Sequence, residues 1–198
     1  VYGLPVVSGF MKAAGLRNGL LVTSDPYSKI IDPTDRVTSL LFGDAATATW
    51  LSADGAWEIG RPDFGTDGSG ALHLMSHEGR LTMNGRQIFN FAATTVPKAL
   101  SSMLAREGLR PEDVDCYCIH QGSASIVDAI SRRFPSVADR FPFEIDECGN
   151  TVSSSIPLLL EDRIHDPKFR RFLLCGFGVG LSWATAMLTR RTSAESIP

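Results

Sequence analysis

Apolar and polar positions along the chain alternate between helical and strand spacing, and this pattern predicts an α/β protein. Helices are predicted where apolar residues recur every three or four positions, and strands where short apolar runs end in Gly, Asp or Pro. Because strands and helices follow one another in turn, we expect a sheet covered on both faces. Helices are predicted at about 1–14, 84–106, 123–133 and 152–164, and strands at 19–23, 45–51, 57–59, 114–119, 143–145, 172–175 and 181–188.

Two stretches interrupt this regular pattern. Residues 54–80 are rich in Gly and Asp, and we expect an irregular connection there that contains only the short strand at 57–59. Pro97 lies inside the longest helical pattern. Proline lacks the N–H that a helix interior requires, so Pro97 predicts a kink or a break.

One order of elements occurs twice along the chain: a helix, a strand, a Phe-Gly turn and an Ala/Thr-rich strand. The first copy is 1–51, in which FGD precedes AATATWL, and the second is 151–188, in which FGVG precedes SWATAML. Only the second copy follows a helix-strand-helix-strand run, and the chain opens in mid-pattern at Val1 rather than at Met. We therefore expect a fragment in which 1–60 is the remnant of one half and 61–198 is a complete second half.

Composition narrows the functional classes. The 198 residues are 43% hydrophobic and carry a formal net charge of −3, which is typical of a globular domain and gives no electrostatic footprint for nucleic acid. No apolar run is long enough to span a membrane. The four cysteines lack the paired CxxC spacing of a zinc site, so a reducing, cytoplasmic compartment is the default expectation.

Two polar side chains stand where an α/β protein places its ligand site. His120 ends a buried strand, and Asn150 precedes an apolar helix. The carboxyl edge of such a sheet is where ligands bind. The alternatives are a structural histidine at a strand end and an Asn that caps a helix or forms a turn. With the backbone N–H groups of the turn 177–180, the pair could stabilise an oxyanion or enolate, although no nucleophile with a partner is recognisable.

Several short motifs occur together in one order along the chain. They are Ser24-Asp25-Pro26-Tyr27-Ser28, Asp35-Arg36, Leu41-Phe42-Gly43-Asp44, Met83-Asn84-Gly85-Arg86, Ile119-His120-Gln121, Gly149-Asn150-Thr151, Ser155-Ile156-Pro157 and Gly176-Phe177-Gly178-Val179-Gly180. In this combination the chain resembles the β-ketoacyl-acyl-carrier-protein synthase III group of the thiolase superfamily. The resemblance implies a thiolase-like fold, with mixed sheets in αβαβα layers and an incomplete N-terminal half.

The resemblance also implies a reaction. Members of this group transfer an acyl chain from coenzyme A to a cysteine, then decarboxylate malonyl-acyl-carrier protein and join the two by Claisen condensation, in fatty acid or related biosynthesis. His120 and Asn150 match the residues that hold the malonyl thioester oxygen, and the backbone N–H of Val179 matches part of a second oxyanion hole. No metal or redox cofactor is implied, since coenzyme A and carrier-protein thioesters are substrates. Family members are typically homodimers.

The matching nucleophile would lie four residues upstream of Val1, in a Cys-Ser-Gly-Phe stretch. None of the four cysteines present occupies that motif, so we assign none of them the role. We therefore expect the longer parent to be the acyltransferase and this fragment alone to be inactive. The four cysteines present in this chain are Cys116, Cys118, Cys148 and Cys175.

Substrate contacts are predicted at Arg36, Gln121, Ser123 and Phe177. Where the family commonly reads His-Gln-Ala-Asn-x-Arg, this chain has Ser123 and Ser125 in place of the Asn and Arg, which leaves the acyl primer and the carrier contact open. Two other functions remain possible at this stage. One is a non-catalytic subunit or pseudoenzyme that pairs with a cysteine-bearing chain, and the other is an acyltransferase of the same fold.

Overall fold

The computed structural model describes residues 1–145 and 147–192 of the chain. Helices and strands alternate, and short 3-10 turns join several of them. The helices are α1 (Gly3–Ala13), α2 (Arg36–Ser39), α3 (Gly85–Glu107), α4 (Ala124–Ser131) and α5 (Ser155–Arg163). The strands are β1 (Asn18–Ser24), β2 (Ala46–Ser52), β3 (Trp57–Ile59), β4 (Asp63–Thr66), β5 (Leu74–His77), β6 (Arg80–Met83), β7 (Cys116–Ile119), β8 (Arg171–Gly178) and β9 (Ser182–Arg190).

The main sheet is five-stranded and mixed. Its order is β3-β9-β8-β7, with β4 also paired to β9. Strands β7 and β8 run parallel with Ile119 opposite Cys175, whereas β8 and β9 are antiparallel with Phe177 opposite Trp183. The parallel pair brings the carboxyl end of β7 beside the turn between β8 and β9.

Strand β8 divides its side chains between two hydrophobic cores. Leu173 and Cys175 join the larger core, which also contains the buried residues of α3 and α4. Phe172 and Leu174 join the smaller core beneath α5. Since successive side chains of a strand point to opposite faces, helices cover both faces of the sheet, as the sequence predicted.

A second, two-stranded sheet consists of β1 and β2, paired antiparallel with Leu21 opposite Thr49. Helix α1 packs on β1, and α5 contacts β2. The molecule is therefore layered: α3 and α4, the main sheet, then α1 and α5, then the β1-β2 sheet. Within 1–145 and 147–192, no helix covers the outer face of β1-β2, where Leu20, Val22 and Trp50 are 60%, 61% and 72% exposed.

Three sequence predictions of local structure need correction. Residues 54–80 contain β4 and β5 as well as the predicted β3, so the connection is less irregular than expected. Helix α3 continues through Pro97, which rules out a break there. No strand forms at 143–145, because the side chain of Gln121 binds the N–H of Glu144 and the carbonyl of Pro142.

The repeated pattern corresponds to two α-β-β units, α1-β1-β2 and α5-β8-β9, each with an antiparallel strand pair. Strand β3 pairs with β9, so the chain passes from the small sheet to the main sheet between Ser52 and Trp57. The domain boundary between 1–60 and 61–198 stays a prediction. None of the helices described is long and apolar enough to cross a membrane.

Candidate active site

A largely apolar cavity of about 1590 Å³ opens between the two α-β-β units, at the carboxyl end of β7. Residues of α1, β1 and β2 line one side of it. His120, Asn150, Phe177 and Val179 line the other side. The structure therefore brings these four predicted site residues to one cavity, together with Ser123.

His120 directly follows β7, and its backbone N–H donates to the carbonyl of Cys175 (2.8 Å). Its Nδ1 lies 2.8 Å from Oγ of Ser155. No residue of 1–145 or 147–192 forms a hydrogen bond with Nε2, which is open to the cavity. Burial lowers the pKa of His120 to about 4. The imidazole is therefore neutral at pH 7 and can present a lone pair or an N–H to the cavity.

Asn150 lies in a loop that pairs with the loop before β2. Its N–H donates to the carbonyl of Leu41 (2.8 Å), and its carbonyl accepts from the N–H of Gly43 (3.0 Å). Oδ1 of its side chain accepts from the N–H of Val152 (3.0 Å). A backbone N–H can only donate, so this bond fixes Oδ1 toward Val152 and leaves Nδ2 open to the cavity. The expected turn role is real, and it orients the donor.

The short turn Val152–Ser154 and the residue after it bind the side chains of both Asn150 and His120. Asn150 bonds to its first N–H, and Ser155, which bonds to His120, directly follows it. Val152 has φ +54°, a left-handed conformation that is strained for a β-branched residue. Such strain persists only where the surrounding structure imposes it, which is typical of functional sites.

The α1-β1-β2 unit also forms hydrogen bonds with the turn Val152–Ser154. Oγ1 of Thr23 lies 2.8 Å from Oγ of Ser154 and 2.6 Å from Oγ1 of Thr47, which forms a chain of hydroxyls across β2, β1 and the turn. Asp25 accepts from both the N–H and the hydroxyl of Ser153. Thus the turn between Asn150 and His120 is anchored in both units.

Phe177 and Val179 lie at the turn between β8 and β9. The Phe177 ring meets the His120 ring edge to face, with 5.2 Å between centroids. Among the residues described, none accepts a hydrogen bond from the Val179 N–H. This backbone donor is therefore available at the cavity wall, and Phe177 restricts the tilt of the imidazole.

Three other predicted residues have different surroundings. Gln121 is 1% exposed, and its amide group bonds to Ile119, Pro142 and Glu144. Arg36 is exposed at the start of α2, and neither it nor Gln121 lines the cavity. Ser123 does line it, but its Oγ caps α4 by accepting from the N–H of Ile126. This geometry does not support a substrate contact for Gln121, which instead holds the 142–144 loop against β7.

None of the four cysteines, all of which lie within the described residues, lines the cavity. Cys175 is buried behind it, and burial raises the pKa of its thiol to about 12, so it is protonated and unreactive at pH 7. Cys116 and Cys118 are buried side by side on β7, with sulfurs 3.6 Å apart. Among the described residues, the cavity thus has neutral polar side chains but no cysteine nucleophile.

Sequence reasoning missed the residues that orient the donors. Asp25 and Ser155 were identified only as parts of motifs, and Thr23 and Val152 carried no signal of their own. Their roles depend on contacts across long sequence separations, such as Thr23 with Ser154. Within the described chain, no cluster of three or more His, Cys, Asp or Glu residues could hold a metal ion. The absence of a metal or redox cofactor stays a prediction.

Comparison with known proteins gives consistent matches along the chain. The family model for 3-oxoacyl-[acyl-carrier-protein] synthase III matches residues 1–68, and the model for its C-terminal part matches residues 104–190. The β-ketoacyl-[acyl-carrier-protein] synthase III of Gloeobacter violaceus is 34% identical over 94% of this chain and 63% of its own length. The chain therefore spans less than two thirds of that relative.

Solved structures give the same picture. The crystal structure of 3-oxoacyl-(acyl carrier protein) synthase III from Pseudomonas aeruginosa PAO1 superposes with a TM-score of 0.87 at 33% identity, covering 97% of this chain and 64% of that one. The priming β-ketosynthase of the R1128 polyketide pathway superposes with a TM-score of 0.82 at 29% identity, covering 96% and 62%.

Proposed function

The chain belongs to the β-ketoacyl-acyl-carrier-protein synthase III family and has its thiolase-like fold, and from this premise we propose that it forms the C-terminal part of a decarboxylating condensing enzyme. The parent would transfer an acyl group from coenzyme A to a cysteine and condense it with malonyl-acyl-carrier protein. Family membership and fold were both predicted from the sequence and are confirmed. The reaction, the substrates and the roles of individual residues are what we propose.

One observation carries the proposal: each of two side chains has one polar atom bonded to protein and its other polar atom open to the same cavity. Nδ1 of His120 faces Ser155, and Oδ1 of Asn150 binds Val152. What remains toward the cavity is Nε2 of the imidazole and Nδ2 of the carboxamide. Fixed neutral donors stabilise negative charge as it develops without reorganising during the reaction.

In the condensing step, the bond between the malonyl carboxylate and the α-carbon breaks, CO₂ leaves, and the electron pair forms the enolate of the thioester. Its oxygen would accept hydrogen bonds from His120 and Asn150. The α-carbon then attacks the acyl thioester on the cysteine, and the cysteine thiolate leaves. Removing one such donor costs about 3 kcal/mol of transition-state stabilisation in other enzymes.

The Val179 N–H would serve the other carbonyl of the reaction. It lies on the cavity wall without an acceptor among the described residues and could bind the oxyanion of the acyl-enzyme intermediate. Val1 lines the same cavity, and its side chain lies beside Gly176. A cysteine on polypeptide joined to Val1 would therefore approach the donors from that side.

The decisive experiment measures CO₂ release from malonyl-acyl-carrier protein by the cysteine-bearing parent. We expect His120→Ala and Asn150→Ala each to reduce the rate by about 10² to 10³, since each removes a donor to the enolate. Asn150→Asp should do the same with little change in volume, because it replaces Nδ2 by an acceptor.

Two matched controls separate this effect from general damage. His77 is exposed on β5 and Asn90 is exposed on α3, and neither lines the cavity. His77→Ala and Asn90→Ala should keep the parent rate. Parent-like decarboxylation in both His120→Ala and Asn150→Ala would refute the assigned roles, and no CO₂ release by the parent would favour plain acyl transfer.

A second arrangement of the polypeptide is also consistent with the observation that none of the described cysteines lines the cavity. The chain would then be a separate subunit that pairs with a cysteine-bearing chain. The codons directly upstream of Val1 distinguish the two: an in-frame Cys-Ser-Gly-Phe supports a single polypeptide, and a start codon there supports a subunit.

The proposal also covers carrier-protein binding and the assembly of the parent enzyme. Ser123 and Ser125 bond to each other (3.1 Å) at the cavity edge, where a charged carrier contact is common in the family. We expect weaker carrier-protein binding than in members that keep the arginine, and a specialised pathway is consistent with the likeness to a polyketide-priming synthase. A cytoplasmic homodimer is the expected assembly.

A further inference from the structure

We propose that Ser155 is a positioning residue whose hydroxyl donates its proton to Nδ1 of His120, and so keeps His120 in the tautomer that carries its hydrogen on Nε2, toward the cavity. This inference rests on the proposed function for the choice of tautomer and for its catalytic consequence. The tautomer itself can be observed without any reaction.

The contact is short, buried and specific. Oγ of Ser155 lies 2.8 Å from Nδ1 of His120, and Ser155 is 3% exposed. The backbone of Ser155 begins α5, and the serine is buried between that helix and the end of β7. Because this hydroxyl is buried, water cannot replace His120 as its hydrogen-bond partner.

Two proton arrangements fit the atoms around Oγ of Ser155. The hydroxyl carries one proton, and its possible acceptors are Nδ1 of His120 and the carbonyl of Val152 (3.0 Å). If it donates to the carbonyl, Nδ1 carries a proton and donates to Oγ; if it donates to Nδ1, the ring proton is on Nε2. We assign the second arrangement because the carbonyl already accepts from the N–H of Ser155, and because only this arrangement directs an N–H to the cavity, as the proposed function requires.

The carbonyl of Val152 also explains what would happen without the hydroxyl. Its capacity to accept a hydrogen bond from the ring acts to raise the pKa of that imidazole, against the larger lowering by burial. A carbonyl can only accept, so a ring that faced it alone would place its proton on Nδ1. Nε2 would then present a lone pair to the cavity, which repels an enolate oxygen. Ser155 prevents this inversion.

The other ring nitrogen is free to act. A Cβ added at Gly122 would lie 3.8 Å from Nε2, so the glycine leaves this edge of the ring uncovered. Phe177 packs edge to face on the ring and limits its rotation. Ser155 therefore selects the tautomer, while Phe177 and Gly122 keep the selected N–H directed to the cavity.

The test is the ¹⁵N spectrum of histidine-labelled chain at pH 7, with the His120 signals identified by their loss in His120→Gln. We expect an unprotonated Nδ1 and a protonated Nε2. In Ser155→Ala the proton should move largely to Nδ1, and Ser155→Thr, which keeps the hydroxyl, should restore the original tautomer. Ser154→Ala is the matched control, because that buried hydroxyl bonds to Thr23 and not to His120.

The wild-type spectrum decides the question even if Ser155→Ala fails to fold. A proton on Nδ1 in wild type would overturn the inference, as would an unchanged tautomer in a folded Ser155→Ala. In the cysteine-bearing parent, Ser155→Ala should lower kcat for CO₂ release about tenfold at nearly constant KM. If the tautomer inverts but His120→Ala decarboxylates normally, Ser155 keeps its positioning role and the proposed function falls.

Discussion

The two α-β-β units share one order of elements, yet they differ sharply in burial. In α5-β8-β9, β8 lies between β7 and β9, and Phe172, Leu173, Leu174 and Cys175 are fully buried. In α1-β1-β2, the strands pair only with each other within the described chain, and every second side chain of β1 is exposed. Similar local sequence thus gives a central strand in β8 and a half-covered strand in β1, because the two strands have different neighbouring strands and helices.

The difference in burial suggests that one unit mainly stabilises the fold and the other mainly positions the site residues. The buried unit contributes more buried apolar side chains than the half-covered unit, which contributes Thr23, Asp25 and Leu41 to the turn and loop that hold the site side chains. Polar contacts from a weakly packed unit therefore complete a site whose framework is stabilised elsewhere. The following predictions test this division.

Truncation of equivalent strands should give the largest contrast. Leu173→Ala in β8 removes a fully buried side chain and should lower the free energy of unfolding by about 2–5 kcal/mol. Leu20→Ala in β1 removes an exposed side chain of the same type and should cost less than about 1 kcal/mol. Urea unfolding of the two variants measures both values, and equal losses would contradict the division.

Acid should destabilise the protein through the imidazole held by the buried unit. His120 has a pKa of about 4 when folded and an ordinary value of 6.5, so between these pH values the unfolded chain binds a proton that the folded chain does not. The free energy of unfolding should therefore fall as pH drops from 6.5 to about 4, by at most about 3 kcal/mol.

Urea unfolding at pH 7 and pH 4.5 measures this loss. His120→Gln should remove that component, whereas His77→Gln, on an exposed strand position, should retain it. An identical pH dependence in His120→Gln and wild type would show that the imidazole is not the cause. The first unit contains no histidine in residues 1–51 and cannot supply a similar effect.

The hydroxyl contact between the units should couple them by about 1 kcal/mol. A double-mutant cycle of Thr23→Val and Ser154→Ala measures this coupling from four unfolding curves. The control cycle pairs Ser154→Ala with Thr34→Val, an exposed threonine that bonds to Asp32 instead. Coupling near zero in the first cycle would mean that the hydroxyl bridge does not join the units.

The smallest effect on stability is expected on the outer face of β1-β2. Trp50→Thr should change the free energy of unfolding by less than about 0.5 kcal/mol, yet reduce the binding of an apolar fluorescent dye, since it removes the largest exposed ring of the patch. Leu72→Thr, at an isolated exposed leucine, should reduce dye binding much less. Equal reductions would mean that the face is not a contiguous apolar patch.

Much of the fold could be predicted because its elements carry local signals. Helix α1 and strands β1, β2, β8 and β9 lie within a few residues of their predicted bounds, since apolar spacing and Gly turns define them. Strand β4 was missed because its sequence, DFGT, has little strand character. It forms by pairing with β9, and Gly65 lies so close to Trp183 that a side chain there would collide with the indole.

The sequence predicted two polar side chains at the cavity but not the residues that hold them. His120 and Asn150 stand out because His120 ends a predicted strand, Asn150 precedes a predicted helix, and each matches a motif. The false strand at 143–145 shows the limit of local reasoning, since the apolar run is real but Gln121, more than 20 positions away, takes the backbone groups that a neighbouring strand would need. Contacts of this kind have no signature in a single segment.

The pairing of the Leu41–Gly43 loop with Asn150 has a consequence for heat resistance. Asn150 keeps its place through two backbone bonds to a segment that belongs to the thinly covered unit. Regions with few buried contacts open at a lower free-energy cost than the whole molecule. On warming, Asn150 should therefore lose its position at the cavity while the main sheet is still intact, and it should regain that position on cooling without any need to refold the core.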